Sequence, residues 1–224
     1  MKKYTLFFLM VLVAFVFSSC GGNSTSENKG PEYVDLGLPS GTKWATFNLG
    51  ATIPEELGDY YAWGATEKRD YFSWGNYKWC EGDEKTLTKY CTSSNYGTSD
   101  YKTILDPSDD AARVQWGENW RMPTKEEFKE LFRECNWQLS TLNGVYGYTA
   151  VGPNGNSIFL PFSGLHGERG ILDYKEAGCY WSTSLDSEYV DKANCLYISP
   201  GYVDDKHNEW RYYGLSIRPV YVNK

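Results

Sequence analysis

The sequence predicts an α+β domain whose two helices are grouped in the middle of the chain. Strand-like alternation of apolar and polar residues opens the ordered region at residues 32–49. Two helix starts follow between residues 106 and 135, and the C-terminal third has only strand and loop patterns. This order of elements is typical of an α+β domain with segregated helices.

The first two strands are predicted to form a hairpin. Residues 32–38 alternate in hydrophobicity, residues 39–41 (Pro-Ser-Gly) have turn composition, and residues 42–49 alternate again. Residues 60–101 are dense in aromatic, glycine and polar residues and have no helical period. We expect short strands and long ordered loops in that stretch.

Both helix starts carry capping signals. Asp106 is a capping residue followed by a first-turn proline, Pro107. Thr124 and Glu127 have the spacing of a capping box, in which each side chain accepts a hydrogen bond from the other residue's backbone N–H. The second helix then has an apolar stripe at helical spacing, formed by Phe128, Leu131, Phe132 and Cys135.

Acidic residues also stand at the helix starts: Asp109, Asp110, Glu126 and Glu127. Paired carboxylates can serve as a catalytic acid and base, but the helix dipole favours negative charge at these positions. We therefore favour a structural role. The two histidines, His166 and His207, have no motif neighbours typical of a catalytic triad.

The C-terminal third is predicted to contain strands at residues 157–162, 178–184, 195–198 and 213–220. Its expected core members are Leu185, Leu196, Ile198 and Val203. Large aromatic side chains dominate the cores of domains. The tryptophans expected in the core are Trp44, Trp63, Trp116, Trp120 and Trp181.

The beginning of the chain has the pattern of an exported lipoprotein. Two lysines precede an apolar run at residues 6–17, which is shorter than the roughly 20 residues that a membrane span needs. The small residues before Cys20 resemble a bacterial lipobox, whose cysteine becomes the acylated first residue. Phe17 occupies the first lipobox position, where leucine is usual. An ordinary signal peptide, with Cys20 free or in a disulfide, is the alternative.

We therefore divide the chain into a lipoprotein signal peptide (residues 1–19), a lipidated flexible tether (residues 20–31) and a folded domain (residues 32–224). The expected location is the cell envelope, as an outer-membrane lipoprotein. The residues after Cys20 lack the acidic run that marks surface export in related bacteria, so the periplasmic or surface face stays open.

The charge of the domain excludes some partners. Loss of the signal peptide removes two lysines, so 22 basic against 29 acidic residues become 20 against 29, a net charge of −9. Nucleic acids and anionic membrane surfaces are therefore poor partners. We expect contact with the membrane only through the lipid on Cys20.

Five cysteines lie in the predicted domain. In an oxidising compartment Cys80 could pair with Cys91, and Cys179 with Cys195, which would leave Cys135 free and buried. Spacing alone does not determine the connectivity. None of the spacings matches a zinc site, so we expect no metal of that kind and no cofactor.

Five segments, in order, resemble one protein family. They are residues 33–41 (Tyr-Val-Asp-Leu-Gly-Leu-Pro-Ser-Gly), 58–64 (Gly-Asp-Tyr-Tyr-Ala-Trp-Gly), 120–124 (Trp-Arg-Met-Pro-Thr), 178–182 (Gly-Cys-Tyr-Trp-Ser) and 214–220 (Gly-Leu-Ser-Ile-Arg-Pro-Val). Together they are similar to the Fibrobacter succinogenes major paralogous domain of exported bacterial proteins. The resemblance implies a C-type-lectin-like fold: two helices on small antiparallel sheets with long loops, paired N- and C-terminal strands, and ligand contacts on the opposite side.

Two related activities are not implied. Formylglycine-generating sulfatase-modifying enzymes, which share the fold and resemble residues 120–128, hold copper with a close cysteine pair near the C-terminal end. Cys179 and Cys195 are separated by fifteen residues. Sugar-binding C-type lectins hold calcium with Glu-Pro-Asn or Gln-Pro-Asp and Trp-Asn-Asp, which this chain lacks. Asp204, Asp205, Asn208 and Glu209 offer oxygen ligands that calcium could accept, but we favour an acidic exposed loop there.

The remaining functional signal lies between residues 182 and 213, where core-like residues alternate with Tyr, Ser, Asn and Asp. This is the composition of paratopes, in which rigid aromatic rings supply area and small polar groups supply hydrogen bonds. It also resembles the variable region of C-type-lectin-like proteins that retroelements diversify. The predicted ligand-binding residues are Asp186, Tyr189, Asp191, Asn194, Tyr202, Asp204, Asp205, Asn208, Trp210, Arg211, Tyr212 and Tyr213.

The sequence thus predicts a non-catalytic, lipid-anchored binding module that recognises a protein or glycan through C-terminal loops. One alternative is a structural envelope or fimbrial component, which would associate with itself. A less favoured alternative is a carbohydrate-active enzyme with two distant carboxylates. The identity of the ligand and the oligomeric state stay open.

Overall fold

The computed structural model describes residues 31–222. The predicted signal peptide, Cys20 and all but the last residue of the tether lie outside this range. Within it, no helix is long and apolar enough to cross a membrane.

The described residues contain two α-helices and twelve β-strands. The helices are α1 (Ala111–Trp116) and α2 (Lys125–Glu134). The strands are β1 (Tyr33–Asp35), β2 (Lys43–Ala45), β3 (Trp120–Arg121), β4 (Asn136–Leu142), β5 (Val145–Val151), β6 (Ser157–Pro161), β7 (Leu165–Gly167), β8 (Gly170–Leu172), β9 (Gly178–Leu185), β10 (Lys192–Ser199), β11 (Tyr202–Trp210) and β12 (Val220–Tyr221). This is a strand-rich α+β arrangement with several small antiparallel sheets, as predicted.

The two ends of the described chain meet in one sheet with the strand order β1-β2-β12-β3. Trp44 of β2 lies opposite both Val34 of β1 and Val220 of β12. The first and last strands were predicted to pair. The last strand, β12, does join the N-terminal hairpin, but it pairs with the second strand, β2, and not with β1. The hairpin strands are also shorter than predicted. Leu36 and Leu38 are buried in the core, but they lie outside the paired part of the strand.

Helix α2 begins as the sequence predicts. The Thr124 hydroxyl accepts a hydrogen bond from Glu127 N at 3.2 Å, and the Glu127 carboxylate accepts one from Thr124 N at 2.8 Å. Phe128 and Leu131 are buried, whereas Phe132 of the predicted stripe is exposed. Helix α1 starts later than Asp106, because the segment after it forms a turn of 3₁₀ helix at Pro107–Asp109. Its capping residue is Asp110, which accepts from Arg113 N.

A central sheet with the order β11-β10-β9 separates two hydrophobic cores. Trp181 of β9 and Cys195 of β10 belong to one core, together with the predicted core residue Leu185. Tyr180 and Leu196 point to the other core, because neighbouring residues of a strand face opposite sides. That second core also contains Phe128 and Leu131 of α2 and Ile198. Trp44, Trp63, Trp120 and Trp181 are buried as predicted, whereas Trp116 and Val203 are only half-buried.

Residues 60–101 form the predicted long loops, but isolated β-bridges stand in place of the predicted short strands, and Asp109 holds part of the stretch. Its carboxylate accepts hydrogen bonds from Lys89 Nζ and Tyr90 OH, both at 2.6 Å, and from Lys78 Nζ at 3.1 Å. Burial alone would raise the pKa of Asp109, but these three donors hold it below its usual value. The acid therefore has a structural role.

Arg218, just before β12, is fully buried, and its hydrogen-bond partners among residues 31–222 are neutral oxygen atoms. It donates from Nε to Asn48 Oδ1 at 2.9 Å, from Nη1 to the Ala45 carbonyl at 3.3 Å and from Nη2 to the Phe159 carbonyl at 2.8 Å. Burial lowers its pKa to about 10, which leaves it protonated at neutral pH. One guanidinium thus joins the terminal sheet to β6.

We predict that Arg218→Met lowers the free energy of unfolding by at least about 3 kcal/mol, because three buried acceptors lose their donor. Urea denaturation of residues 31–224 measures the change. Arg169→Met is the matched control, since Arg169 is exposed and its loss should change stability by less than about 0.5 kcal/mol. Equal, small effects of both substitutions would contradict this role of Arg218.

Candidate functional site

A polar groove of about 390 Å³ lies between the start of α2 and the β10–β11 hairpin. Three lysines and four acidic residues stand around it, together with a serine and two asparagines. The lining residues are Lys125, Glu126, Lys129, Asp186, Ser187, Glu188, Asn194, Asp205, Lys206 and Asn208. Four of these were predicted to bind ligand: Asp186, Asn194, Asp205 and Asn208.

The carboxylate of Asp186 organises the floor of this groove. Its Oδ1 accepts hydrogen bonds from the backbone N–H groups of Glu188 and Tyr189, both at 2.9 Å. Its Oδ2 accepts from Asn194 Nδ2 at 3.0 Å and from Asn208 Nδ2 at 3.1 Å. Asp186 therefore fixes the turn after β9 and, at the same time, two side chains of the adjoining hairpin.

Asn194 and Asn208 lie directly opposite each other on β10 and β11. Asn194 is only 8% exposed, and its Oδ1 has no hydrogen-bond donor among the described residues. A buried acceptor without a donor costs about 1–3 kcal/mol. The groove thus contains one unsatisfied polar atom in an otherwise well-bonded floor.

An aromatic surface continues from the groove along the same side of the hairpin. Lys192 and Trp210 face each other two pairs beyond Asn194 and Asn208, and residues two apart on a strand share a face. The Lys192 ammonium lies 5.4 Å from the Tyr189 ring and 5.6 Å from the Trp210 ring, within cation–π range. Tyr189 is 49% exposed and Trp210 is 40% exposed.

Two of the predicted ligand-binding aromatics lie deeper. The Tyr212 ring centroid is 4.7 Å from that of Tyr213 and 6.1 Å from that of Trp210. Tyr212 is buried, in a core cluster with Phe72 and Tyr77, and Tyr213 is half-buried. Tyr212 is therefore a core residue behind Trp210, and it lacks the exposed position that was expected of a ligand contact.

Arg211, which was also expected to be exposed to ligand, has a fully buried side chain. Its guanidinium donates to Tyr77 OH at 2.9 Å and to the carbonyl oxygens of Lys89, Tyr90 and Val190 at 2.9, 3.0 and 3.2 Å. Four of its five N–H donors thus bind groups within the protein, and the buried guanidinium is shielded from an outside ligand.

The other predicted residues do not reach the groove floor. Asp191 is half-buried in the turn, and its carbonyl accepts from Arg211 N at 3.1 Å. Tyr202 and Asp204 stand at the far end of β11, where the Tyr202 hydroxyl donates to the Asp204 carboxylate at 3.3 Å. Asp204 and Glu209 both contact His207, whereas Asp205 and Asn208 line the groove. The four residues that could offer oxygen ligands to calcium therefore belong to two different places.

The strand predicted at residues 195–198 is confirmed as part of β10, whereas the prediction of exposed loops around it is wrong. Residues 192–199 and 202–210 form a hairpin of two long strands, with β11 at the edge of the central sheet. Sequence reasoning also missed Lys125, Glu126 and Lys129, which α2 brings to the groove. The Thr124–Glu127 capping box indicated where α2 begins, but it carried no signal that β11 lies beside it.

A second groove, about 590 Å³ in volume and mainly apolar, lies on another side of the domain. Tyr146 of β5 and Leu139 of β4 contribute to it and are 57% and 53% exposed. Phe162, Ala177, Tyr197 and Pro200 complete its apolar lining. None of the predicted ligand-binding residues lines it.

The predicted disulfides are not formed, since all five cysteines of the described residues are free thiols. Cys195 lies opposite Trp181, and Cys179 lies opposite Tyr197, so the two cysteines are diagonal neighbours. Diagonal residues stand roughly 7–8 Å apart. A disulfide requires roughly 4.4–6.8 Å between α-carbons.

Cys80 and Cys91 are held by different partners. The Cys80 thiol donates to the Trp74 carbonyl at 3.2 Å, and the Cys91 thiol donates to the Ser93 carbonyl at 3.1 Å. Cys135 is free and buried at the end of α2, as predicted. Burial raises its pKa to about 11.

Comparison with known proteins identifies no relative: no family model, no curated protein and no solved structure matches the chain. The family resemblance therefore stays a prediction. Any function assigned to the chain rests on the geometry of the groove and of the aromatic surface beside it.

We predict that residues 31–224, unfolded without a reductant, expose five thiols per chain to Ellman's reagent. In the native state Cys80, which is half-exposed, should react first. Cys179 and Cys195 should not react, because burial raises the pKa of both thiols and excludes the reagent. A single reactive thiol in the unfolded, unreduced chain would instead support the two predicted disulfides.

Proposed function

We propose that this chain is a non-catalytic, lipid-anchored binding module of the cell envelope that recognises a protein or glycan ligand. The observation that carries the proposal is the continuous surface formed by the polar groove and the ring pair Tyr189 and Trp210. Binding sites combine a few oriented polar groups with apolar or aromatic contact area. Both components are present on one side of the β10–β11 hairpin.

The groove suits a polar ligand without a large charge. Its three lysines are offset by four acids, so its field favours neither strong anions nor strong cations. Lys192 makes cation–π contacts with the exposed rings of Tyr189 and Trp210. These contacts restrict the rings, so less conformational entropy is lost when a ligand packs on them. These features favour an uncharged, hydroxyl-rich or amide-rich ligand.

The C-type-lectin-like fold is part of the same proposal. It is supported by the terminal hairpin joined to β12, by the two helices placed between the strand groups and by the long irregular stretch at residues 60–101. The proposed location, an outer-membrane lipoprotein held through Cys20, is supported by the sequence of residues 1–31.

We predict that Trp210→Ala weakens binding at least tenfold in a glycan and protein array probed with residues 31–224. The free energy of unfolding should fall by only about 1 kcal/mol, because Trp210 is 40% exposed. Urea denaturation separates loss of contact from loss of fold.

Tyr146→Ala is the matched control, because Tyr146 is an exposed aromatic residue in the apolar groove on another side of the domain. It should leave binding unchanged. If Tyr146→Ala abolished binding and Trp210→Ala did not, the ligand would bind in the apolar groove. That result would contradict a binding site at the polar groove and Trp210.

We also predict that Cys20→Ser abolishes incorporation of labelled palmitate when the full chain is expressed in a bacterium, because the thiol is the proposed acylation site. Cys135→Ser should retain the label. A Cys20→Ser chain that still incorporates palmitate would contradict the proposed lipid attachment.

A further inference from the structure

The hydrogen bonds of Asp186 determine which atoms the groove offers to a ligand. A carboxylate accepts hydrogen bonds and donates none, so the amide groups of Asn194 and Asn208 must turn their NH₂ ends toward it. Their carbonyl oxygens must then point away from Asp186. Asp186 therefore fixes the orientation of two neighbouring amide oxygens on groove-lining residues.

The acceptor on Asn194 lacks a donor. The residue is more than nine-tenths buried and lines the groove, yet Oδ1 has no hydrogen-bond partner among the described residues. This oxygen is not open to solvent, and the groove residues Lys125, Glu126 and Lys129 are exposed and have long, rotatable side chains. Rotation of these side chains would let a ligand donor reach the oxygen and satisfy it.

Building on the proposed function, we propose that the ligand is a neutral sugar whose adjacent hydroxyls donate to Asn194 Oδ1 and Asn208 Oδ1. A hydroxyl supplies the donor that Asn194 Oδ1 lacks and can also donate to Asn208 Oδ1. An anionic ligand would gain little from the groove, because its four acidic side chains outnumber its three lysines and carbonyl oxygens do not donate hydrogen bonds. Trp210 lies two residues beyond Asn208 on the same face, about 7 Å along the strand, where it contacts the rest of the ligand.

The test uses methyl glycosides of neutral hexoses and their mono-deoxyfluoro derivatives, titrated into residues 31–224 and followed by NMR. Fluorine cannot donate a hydrogen bond, so replacing a hydroxyl that contacts a carbonyl oxygen removes the interaction. For a glycoside that binds, at least one deoxyfluoro derivative should bind tenfold or more weakly. A series in which every derivative binds as well as its parent would overturn the proposal.

Asp186→Asn tests the orienting role. The new amide donates, so Asn194 and Asn208 can turn their NH₂ ends into the groove and their oxygens toward residue 186. The ratio of affinities for the parent glycoside and its deoxyfluoro derivative should then fall to less than about threefold. Partial unfolding would weaken both affinities equally and leave this ratio unchanged. Asp204→Asn makes the same charge change at the far end of β11 and should keep the wild-type preference. If Asp186→Asn does not fold, the wild-type fluorine series decides.

Failure of this proposal differs from failure of the proposed function. If no methyl glycoside binds but an array protein binds in a Trp210-dependent manner, the sugar assignment is wrong and the binding module stands. Displacement of a bound glycoside by ethylammonium would show that the acceptors select a cationic donor, which would also overturn the sugar assignment. Absence of any Trp210-dependent ligand would contradict both.

Discussion

The buried guanidinium of Arg211 is the interaction on which the candidate site depends. Residues 60–101 form almost no strand ladders, so their carbonyl groups need other donors, and Arg211 serves two of them, at Lys89 and Tyr90. Five N–H groups in one rigid plane suit this task better than a flexible ammonium would. The same bonds end β11 at a defined point. Trp210 before Arg211 is thereby exposed, and Tyr212 after it is buried.

Local chemistry explains which parts of the fold could be predicted from the sequence. The Thr124–Glu127 box lies within four residues, so it gave the start of α2 correctly. The partners of Arg211 lie 121 and 122 residues away at Tyr90 and Lys89, and no local pattern indicates them. Strand β11 was taken for a loop because an edge strand that is half-exposed on both sides has no alternation of apolar and polar residues.

The sequence indicated which kinds of residues gather at the candidate site, but it did not indicate what each of them does there. Polar and aromatic side chains between residues 182 and 213 do gather at the groove, and Asn194, Asn208 and Trp210 share one face of the hairpin. Asp186 was expected to contact ligand, yet its oxygens already accept four hydrogen bonds from the protein. Its effect on a ligand would therefore be indirect, through the orientation that it imposes on the two amides. The lysines of α2 come from about sixty residues earlier in the sequence and could not be assigned to the site.

The most direct measurement is a map of ligand-induced NMR shifts in residues 31–224, with a bound methyl hexoside as the probe. Our account predicts that the largest shifts occur at the side-chain amides of Asn194 and Asn208 and at the indole N–H of Trp210. The backbone amides of Glu188 and Tyr189, which donate to Asp186, should shift less. Shifts confined to Leu139 and Tyr146, or spread evenly without a maximum at the hairpin, would contradict the account.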